Sequence, residues 1–354
     1  MEKSFETCVA EGALSEIESL RIYEQKIYKK YSPNFIFQEH PTAIILGGQN
    51  ASGKSTLGKR FLLEYESKGG IVDIEGDALR DYHPNFKQYN RENDKLMAAY
   101  TTKDSGRWTE RLIEDTARNK CNMIIETTLR NKETVTGTVE RLSNSGYEVQ
   151  AKIFVVSYDK SLLGAYMRYE KLKAERGAGR FVYDNALKAA YNGMPETIQA
   201  LKEQGKCSCI HLYTREGVLF DGDYRQTDIL SILKKERCRE YTPNEIQFVQ
   251  EGWKRVDEYM KSRGASKEEY KEIARRMADR IDIMVDEGVA SRNIRTMNDI
   301  YINEWFPKTQ NKKTDKNNLQ NLNLEQSENK IENKLPDTFS KTPVKQSSYL
   351  NPSF

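Results

Sequence analysis

Thirteen residues carry most of the chemistry legible in this chain. From Ile44 to Thr56 it reads Ile-Ile-Leu-Gly-Gly-Gln-Asn-Ala-Ser-Gly-Lys-Ser-Thr, and Gly48, Gly53, Lys54 and Ser55 satisfy G-x-x-x-x-G-K-[ST] at every fixed position. Gly48-Gln49-Asn50-Ala51-Ser52-Gly53 is a loop whose backbone N–H groups can curl around a polyphosphate, the glycines removing Cβ atoms where the chain comes close. Lys54 reaches the β and γ oxygens, Ser55 supplies a hydroxyl ligand for Mg²⁺, and Thr56 continues into the helix whose N-terminus adds positive potential. The pattern predicts ATP with Mg²⁺ as the bound pair. A kinase built on such a cradle also needs a base for the acceptor hydroxyl and cations for the transition-state charge. Asp77 is the candidate base, with a helix cap as its alternative role; Glu126, Thr128 and Arg130 are candidates for the acceptor pocket or the metal shell; Arg168 and Arg180 are candidates for closing over the γ-phosphate.

These residues need a scaffold that brings strand ends together. Ala43–Leu46 is a short apolar run suited to a buried parallel strand, and Leu57, Phe61, Leu62 and Tyr65 follow at helical spacing until Gly69-Gly70. Further strands are expected at 71–74, 121–125, 149–156, 209–213 and 218–220. Between them helices are expected over 105–119, along Val135, Val139 and Leu142, and over 159–176 and 183–204. The alternation argues for an α/β fold: a parallel sheet wrapped by helices, with Asp77 and Glu126 beyond strand C-termini, where open sheets place ligands. Gly177-Ala178-Gly179-Arg180, between two helices, suits a closing lid or a plain helix–helix turn.

The expected organisation is an N-terminal helical segment (1–40) with Leu14, Ile17, Leu20 and Ile27 on one face, a P-loop kinase domain (41–236), a small C-terminal α-helical module (241–306) and a disordered tail (307–354). Thr242-Pro243-Asn244-Glu245 and Ser266-Lys267-Glu268-Glu269 are capping boxes that open two amphipathic helices, and a third short helix is expected at 299–306. Composition narrows the function classes. At 354 residues the chain can build a large core, and 31% charged residues balanced to a net charge of +3 give no basic field for nucleic acid. Five scattered cysteines suit reduced thiols in the cytoplasm, and neither a signal peptide nor an apolar run long enough for a membrane is visible.

Several strings together resemble the zeta-toxin family, the kinase component of epsilon/zeta toxin–antitoxin systems. They are Leu46-Gly47-Gly48-Gln49 into the P-loop, Gly76-Asp77-Ala78-Leu79-Arg80 with His83-Pro84-Asn85-Phe86, Ile124–Arg130, Arg168-Tyr169-Glu170 with Arg180, and Leu212–Gly217. The resemblance covers about residues 41–225 and implies an ATP/Mg²⁺-dependent kinase that phosphorylates UDP-N-acetylglucosamine on the 3′ hydroxyl of its sugar and so blocks use of a cell-wall precursor. It further implies Asp77 as base, Lys54 and Ser55 on ATP·Mg²⁺, Arg168 and Arg180 as phosphate clamps, Glu110, Glu126, Thr128, Arg130 and Thr138 on the acceptor, and an antitoxin protein as a possible partner. Thr127 stands where the family usually has glycine. Two alternatives accompany this reading: the same chemistry on another nucleotide sugar or dinucleotide, and an ATP-gated binding protein with residues 241–306 as its output.

Overall fold

In a computed structural model, which describes residues 3–301, the chain opens with α1 (Phe5–Gly12) and α2 (Glu16–Ile22). A π-helical stretch, Tyr23–Tyr28, then leads into the single turn α3 (Lys29–Tyr31). That stretch corrects the expected N-terminal face: the added residue per turn shifts the helix phase, so Ile22, Tyr23 and Ile27 are buried whereas Ile17 is 84% exposed.

Then come β1 (Thr42–Gly48), α4 (Lys54–Glu66), β2 (Val72–Ile74), the short α5 (Gly76–Leu79), α6 (Phe86–Glu92), α7 (Met97–Arg118), β3 (Met123–Thr127), α8 (Lys132–Asn144) and β4 (Glu148–Phe154). They are followed by α9 (Tyr158–Arg176), α10 (Asp184–Gln204), β5 (Cys209–Thr214), β6 (Gly217–Phe220), α11 (Ile229–Cys238), α12 (Pro243–Ser262), α13 (Lys267–Asp286) and α14 (Ser291–Ile300). The strands form one sheet in the order β2-β3-β1-β4-β5-β6, parallel except for the β5–β6 hairpin. Both neighbours of β1 are parallel to it, and its register sets Leu46 opposite Glu126 and Gly48 opposite Phe154. The strand ends that carry the P-loop and Glu126 therefore lie side by side.

Alternation along each strand divides the apolar residues between two faces. Ile45, Ile74, Met123, Val149 and Ile153 pack with Trp108 and Leu112 of α7, Val139 of α8, Ile198 of α10 and Leu233 of α11. Ile44, Leu46, Ile124 and Phe154 face Phe61 and Tyr65 of α4. A third cluster joins α9 and α10 to α12–α14 around Leu163, Tyr166, Trp253, Met277 and Met284. The described residues fall in one compact unit.

Helix α7 begins two turns earlier than its apolar period announces, because apart from Met97 its first turns bury the small or polar Ala99, Thr101 and Asp104. The last described helix, Ser291–Ile300, begins well before the expected start at 299; its polar residues hide it, since Asn293 is buried while bonding backbone at Arg239 and Tyr241. Residues 302–306 of that expected helix and the tail from 307 lie outside the described residues.

Candidate active site

The loop after β1 is the first piece of the site. Gly48 (φ 152°) and Gly53 (φ 115°) occupy backbone regions that favour glycine. A Cβ on Gly48 would lie 3.0 Å from Lys54 Cγ, from the Phe154 carbonyl oxygen and from Ser52 Oγ, so only a bare Cα fits the turn. Ala51 carries φ 57°, a left-handed conformation that costs a non-glycine residue. Lys54 is 9% exposed, and its Nζ donates to the carbonyl oxygens of Gly48 (2.6 Å) and Gln49 (2.8 Å), folding across the cradle. Burial lowers its ammonium to about 8, against the opposing pull of Glu126 and Asp77.

Asp77 sits inside α5, two residues past the N-cap position, which Glu75 holds without a side-chain bond. Its carboxylate accepts from Arg80 Nε at 3.0 Å and pairs with Arg180 Nη2 at 3.3 Å. Burial would raise its pKa, but Arg180 and Arg80 outweigh that and hold it at about 2. Arg80 is itself pinned to α7, donating to Ala98 O (2.8 Å) and Thr101 Oγ1 (3.0 Å). Glu126, at the end of β3, shows the opposite balance: burial raises it to about 7, with Lys54 pulling it down. Two carboxylates in one cavity are thus set far apart in proton affinity, Glu126 by burial and Asp77 by its two arginines.

The cavity measures about 580 Å³. It gathers Asn50, Lys54, Asp77, Glu110, Glu126, Thr128, Arg130, Arg168 and Arg180 from α4, α5, α7, β3, α9 and the loops beside them. Thr138 is not among its lining residues; it sits one turn deeper on α8, with Oγ1 donating to Thr134 O at 2.9 Å, and Thr134 takes the lining position. Glu110 accepts from Arg141 Nη2 at 2.7 Å. Thr127 uses its hydroxyl to accept from Leu129 N (3.2 Å), stabilising a turn in which Leu129 has φ 56°; α10 holds the same turn through Thr197 Oγ1, which donates to Leu129 O (2.8 Å).

Sequence reasoning missed Glu75 and Arg80, and it missed an aromatic wall of Phe5, Phe181 and Tyr183 in which Tyr183 meets both phenyl rings edge-on. The (i, i+3) pair Asp77–Arg80 was readable as an ion pair on one helix turn. Phe5, contributed by α1 across the fold, had no local signal. The lid is likewise anchored by a residue that spacing did not single out. Asp94, in the loop before α7, accepts from Tyr169 Oη (3.1 Å), Lys173 Nζ (3.1 Å) and Gly179 N (2.9 Å).

The cavity's donor set fits a polyphosphate. Gln49 and Ser52 are fully buried with side-chain polar atoms that have no partner among the described residues, and the same holds for Nε and Nη2 of Arg168. Unpartnered donors beside a loop that accommodates no Cβ are what an anion with many acceptor oxygens satisfies. For Mg²⁺ the cavity offers the carboxylate of Glu126, a hard oxygen donor suited to that cation, while the Ser55 hydroxyl stands exposed on the first turn of α4 and outside the cavity lining.

A β1–loop–α4 cradle on a parallel sheet, with acidic strand ends and lid arginines, defines a P-loop nucleotide-binding protein of the kinase type. The zeta toxin family model matches residues 26–225, and the chain belongs to that family. Toxin zeta of Streptococcus pyogenes is 32% identical over 59% of this chain and 73% of its own length. Toxin PezT of Streptococcus pneumoniae is 28% identical over 63% of this chain and 88% of its own length. A solved structure from the PezAT chromosomal toxin-antitoxin system of Streptococcus pneumoniae superposes with a TM-score of 0.61 at 25% identity, covering 71% of this chain and 98% of that one. Among the described residues no helix is long and apolar enough to cross a membrane.

Proposed function

We propose that the chain transfers the γ-phosphoryl group of ATP to the 3′ sugar hydroxyl of UDP-N-acetylglucosamine, acting as a zeta-type toxin in the cytoplasm under the control of an antitoxin. The observation that carries the phosphotransferase reading is the convergence of Lys54, Asp77, Arg168 and Arg180 on one cavity. A nucleotide switch has no use for an acceptor base. The acceptor follows from family membership, and the aromatic wall of Phe5, Phe181 and Tyr183 supports it, because a sugar phosphate alone offers nothing to stack there whereas a nucleobase does. The antitoxin is extended to this chain from the PezAT relative.

In this mechanism the loop N–H groups and Lys54 hold the β and γ phosphates, and Arg168 fills its unpartnered Nε and Nη2 with γ-phosphate oxygens. Ser55 and Glu126 would hold Mg²⁺, which when bound would supply charge neutralisation for the phosphates. An acceptor hydroxyl reaching Asp77 displaces Arg180, which swings to the transferring group. The hydroxyl oxygen forms the new P–O bond, the β–γ bridging P–O bond breaks with its electron pair leaving on ADP, and the hydroxyl proton passes to Asp77. The test is mass spectrometry of a nucleotide-sugar panel incubated with ATP, Mg²⁺ and purified protein. UDP-N-acetylglucosamine is expected to gain one phosphate. A gain only on another nucleotide sugar would replace the acceptor, and no gain on any would remove the sugar-nucleotide kinase reading.

A further inference from the structure

The matched family segment ends at residue 225, yet the P-loop is braced by residues well beyond it. Helix α9 runs behind the loop and touches it twice. Ser161 Oγ donates to the Asn50 carbonyl oxygen at 2.6 Å, and at Gly164 the helix comes so close that a Cβ would lie 2.8 Å from the Ala51 oxygen and 3.2 Å from its Cβ. The Gly164 contact falls on Ala51, the residue with the left-handed backbone, and the Ser161 bond on the carbonyl just before it; such a conformation persists only where its surroundings hold it.

The first turn of α9 is in turn fixed by the start of α12. Tyr241 Oη bonds Asp159 Oδ2 and lies 2.9 Å from Ser157 Oγ. Glu245 accepts from Lys160 Nζ, from Arg239 (2.7 and 2.8 Å) and from Thr242 N (2.7 Å), while the Lys160 ammonium lies 4.2 Å from the Tyr241 ring centre. Asn293 of α14 closes the arrangement by accepting from Tyr241 N and donating to Arg239 O, both at 2.8 Å. Apart from Asp159 Oδ1, the buried polar atoms of this network are partnered, and it fixes one geometry because each further partner lost would be costly.

We infer that Tyr241 and the helices after it are a positioning element for the phosphate cradle: they set the N-terminal turn of α9, and α9 holds Asn50 and Ala51 in the turn that receives phosphate. The inference rests on the reading that this loop binds a nucleoside triphosphate. It makes the C-terminal helices part of the nucleotide site at one remove, not a separate output module.

The test uses the full chain and measures the affinity of a non-hydrolysable ATP analogue by calorimetry, KM for ATP and for the acceptor, and thermal midpoints. Tyr241→Phe removes only the hydroxyl that reaches Asp159 and Ser157, and Ser161→Ala removes only the hydroxyl on Asn50. Both are expected to weaken the analogue about tenfold, the scale of one lost hydrogen bond, and to raise KM for ATP while KM for the acceptor stays put. Leu142→Ala, in the core beside α8 and on none of the elements that brace the loop, is expected to lower the thermal midpoint without changing analogue affinity. Should Tyr241→Phe fail to fold, Glu245→Gln, which loosens Lys160 from the start of α12, takes its place. Affinity within about twofold of wild type in the folded variants, or an equal loss in Leu142→Ala, overturns the inference. If the wild-type chain binds no analogue, the nucleotide reading falls first and takes this one with it.

Discussion

Asp77 is asked to take a proton while two guanidinium groups hold its carboxylate at about 2, so in the resting site it is a poor base. The conflict eases when the acceptor arrives. Arg180 sits only 3.3 Å away on the lid, and its departure toward the transferring phosphoryl group removes one of the two charges that depress Asp77. Phosphoryl transfer also has a loose transition state, in which orienting the acceptor and countering its developing charge matter as much as proton affinity. Asp77→Asn keeps the shape and loses both roles. Its transfer rate in single-turnover measurements should fall by about 10²- to 10⁴-fold with ATP affinity unchanged. A rate above half of wild type would move the base to another carboxylate. Lys54 presents a second conflict. Its ammonium titrates at about 8 instead of 10.5, so between those values the unfolded chain holds a proton that the folded chain has released. Folding therefore bears the burial cost at neutral pH, and the cost fades as pH climbs from about 8 to 10.5. Lys54→Met should abolish ATP turnover and raise the thermal midpoint at pH 7, and the rise should shrink at pH 10. A variant equally stable at both pH values would show that the bonds to Gly48 and Gln49 offset the burial.

At the scale of elements, α10 shows how a local defect is repaired from elsewhere in the chain. Pro195 interrupts the helix, and its missing N–H leaves the Tyr191 carbonyl without the usual partner four residues on. Arg237 of α11 supplies one, donating from Nη1 to Tyr191 O at 3.0 Å with its guanidinium 3.9 Å from the Tyr191 ring centre. Arg237→Met should lower stability by about 1–3 kcal/mol, the cost of an orphaned buried carbonyl. Pro195→Ala in that background restores the N–H and should recover most of the loss in chemical denaturation. Recovery no greater than Pro195→Ala gives alone would show that Arg237 acts by packing. The repair also marks where the sequence stops being legible. The P-loop, the strand ends and the two capped C-terminal helices were readable because each is set by neighbours within a few residues. Asp94 on the lid, Asn293 under Tyr241 and Phe5 in the cavity wall were not, since their partners lie from 52 to 178 residues away in the chain. The π-helical stretch defeated the helical period for a different reason: it changes the period itself. Thr138 was placed one turn too deep, where α8 turns Thr134 toward the cavity instead.

The whole molecule is held by two different kinds of force, and pH separates them. The sheet is sandwiched between apolar faces. The helices after Tyr241 share an apolar cluster with α9 and α10, but they are also fastened to them by buried or half-buried ion pairs: Glu245 with Lys160, Arg263 with Glu170 and Arg276 with Asp184. Arg239–Glu245 and Arg263–Glu269, each pairing the C-cap of one helix with the first turn of the next, brace the starts of α12 and α13. Burial alone would raise Glu245, Glu269 and Asp184. Arg263 instead brings Glu269 down to about 2, Arg239 and Lys160 hold Glu245 lower still, and Arg276 lowers Asp184. A carboxylate with a depressed folded pKa contributes stability that is fully present above its unfolded value and is lost as pH falls toward the folded one. For Glu269 that window runs from 4.5 down to about 2. Protonation there removes the acceptors and leaves arginines buried without partners, which costs more than the pairs contribute when intact. The apolar faces of the sheet have no comparable dependence. Amide exchange read by mass spectrometry at pH 5, 4 and 3, corrected for intrinsic exchange rates, should therefore show α12 and α13 losing protection before β1, β3 and β4. If the inferred brace on the P-loop holds, the loop at 48–53 should open together with those helices. Strands that lose protection first would place the acid-sensitive contacts inside the sheet and not at the ion pairs.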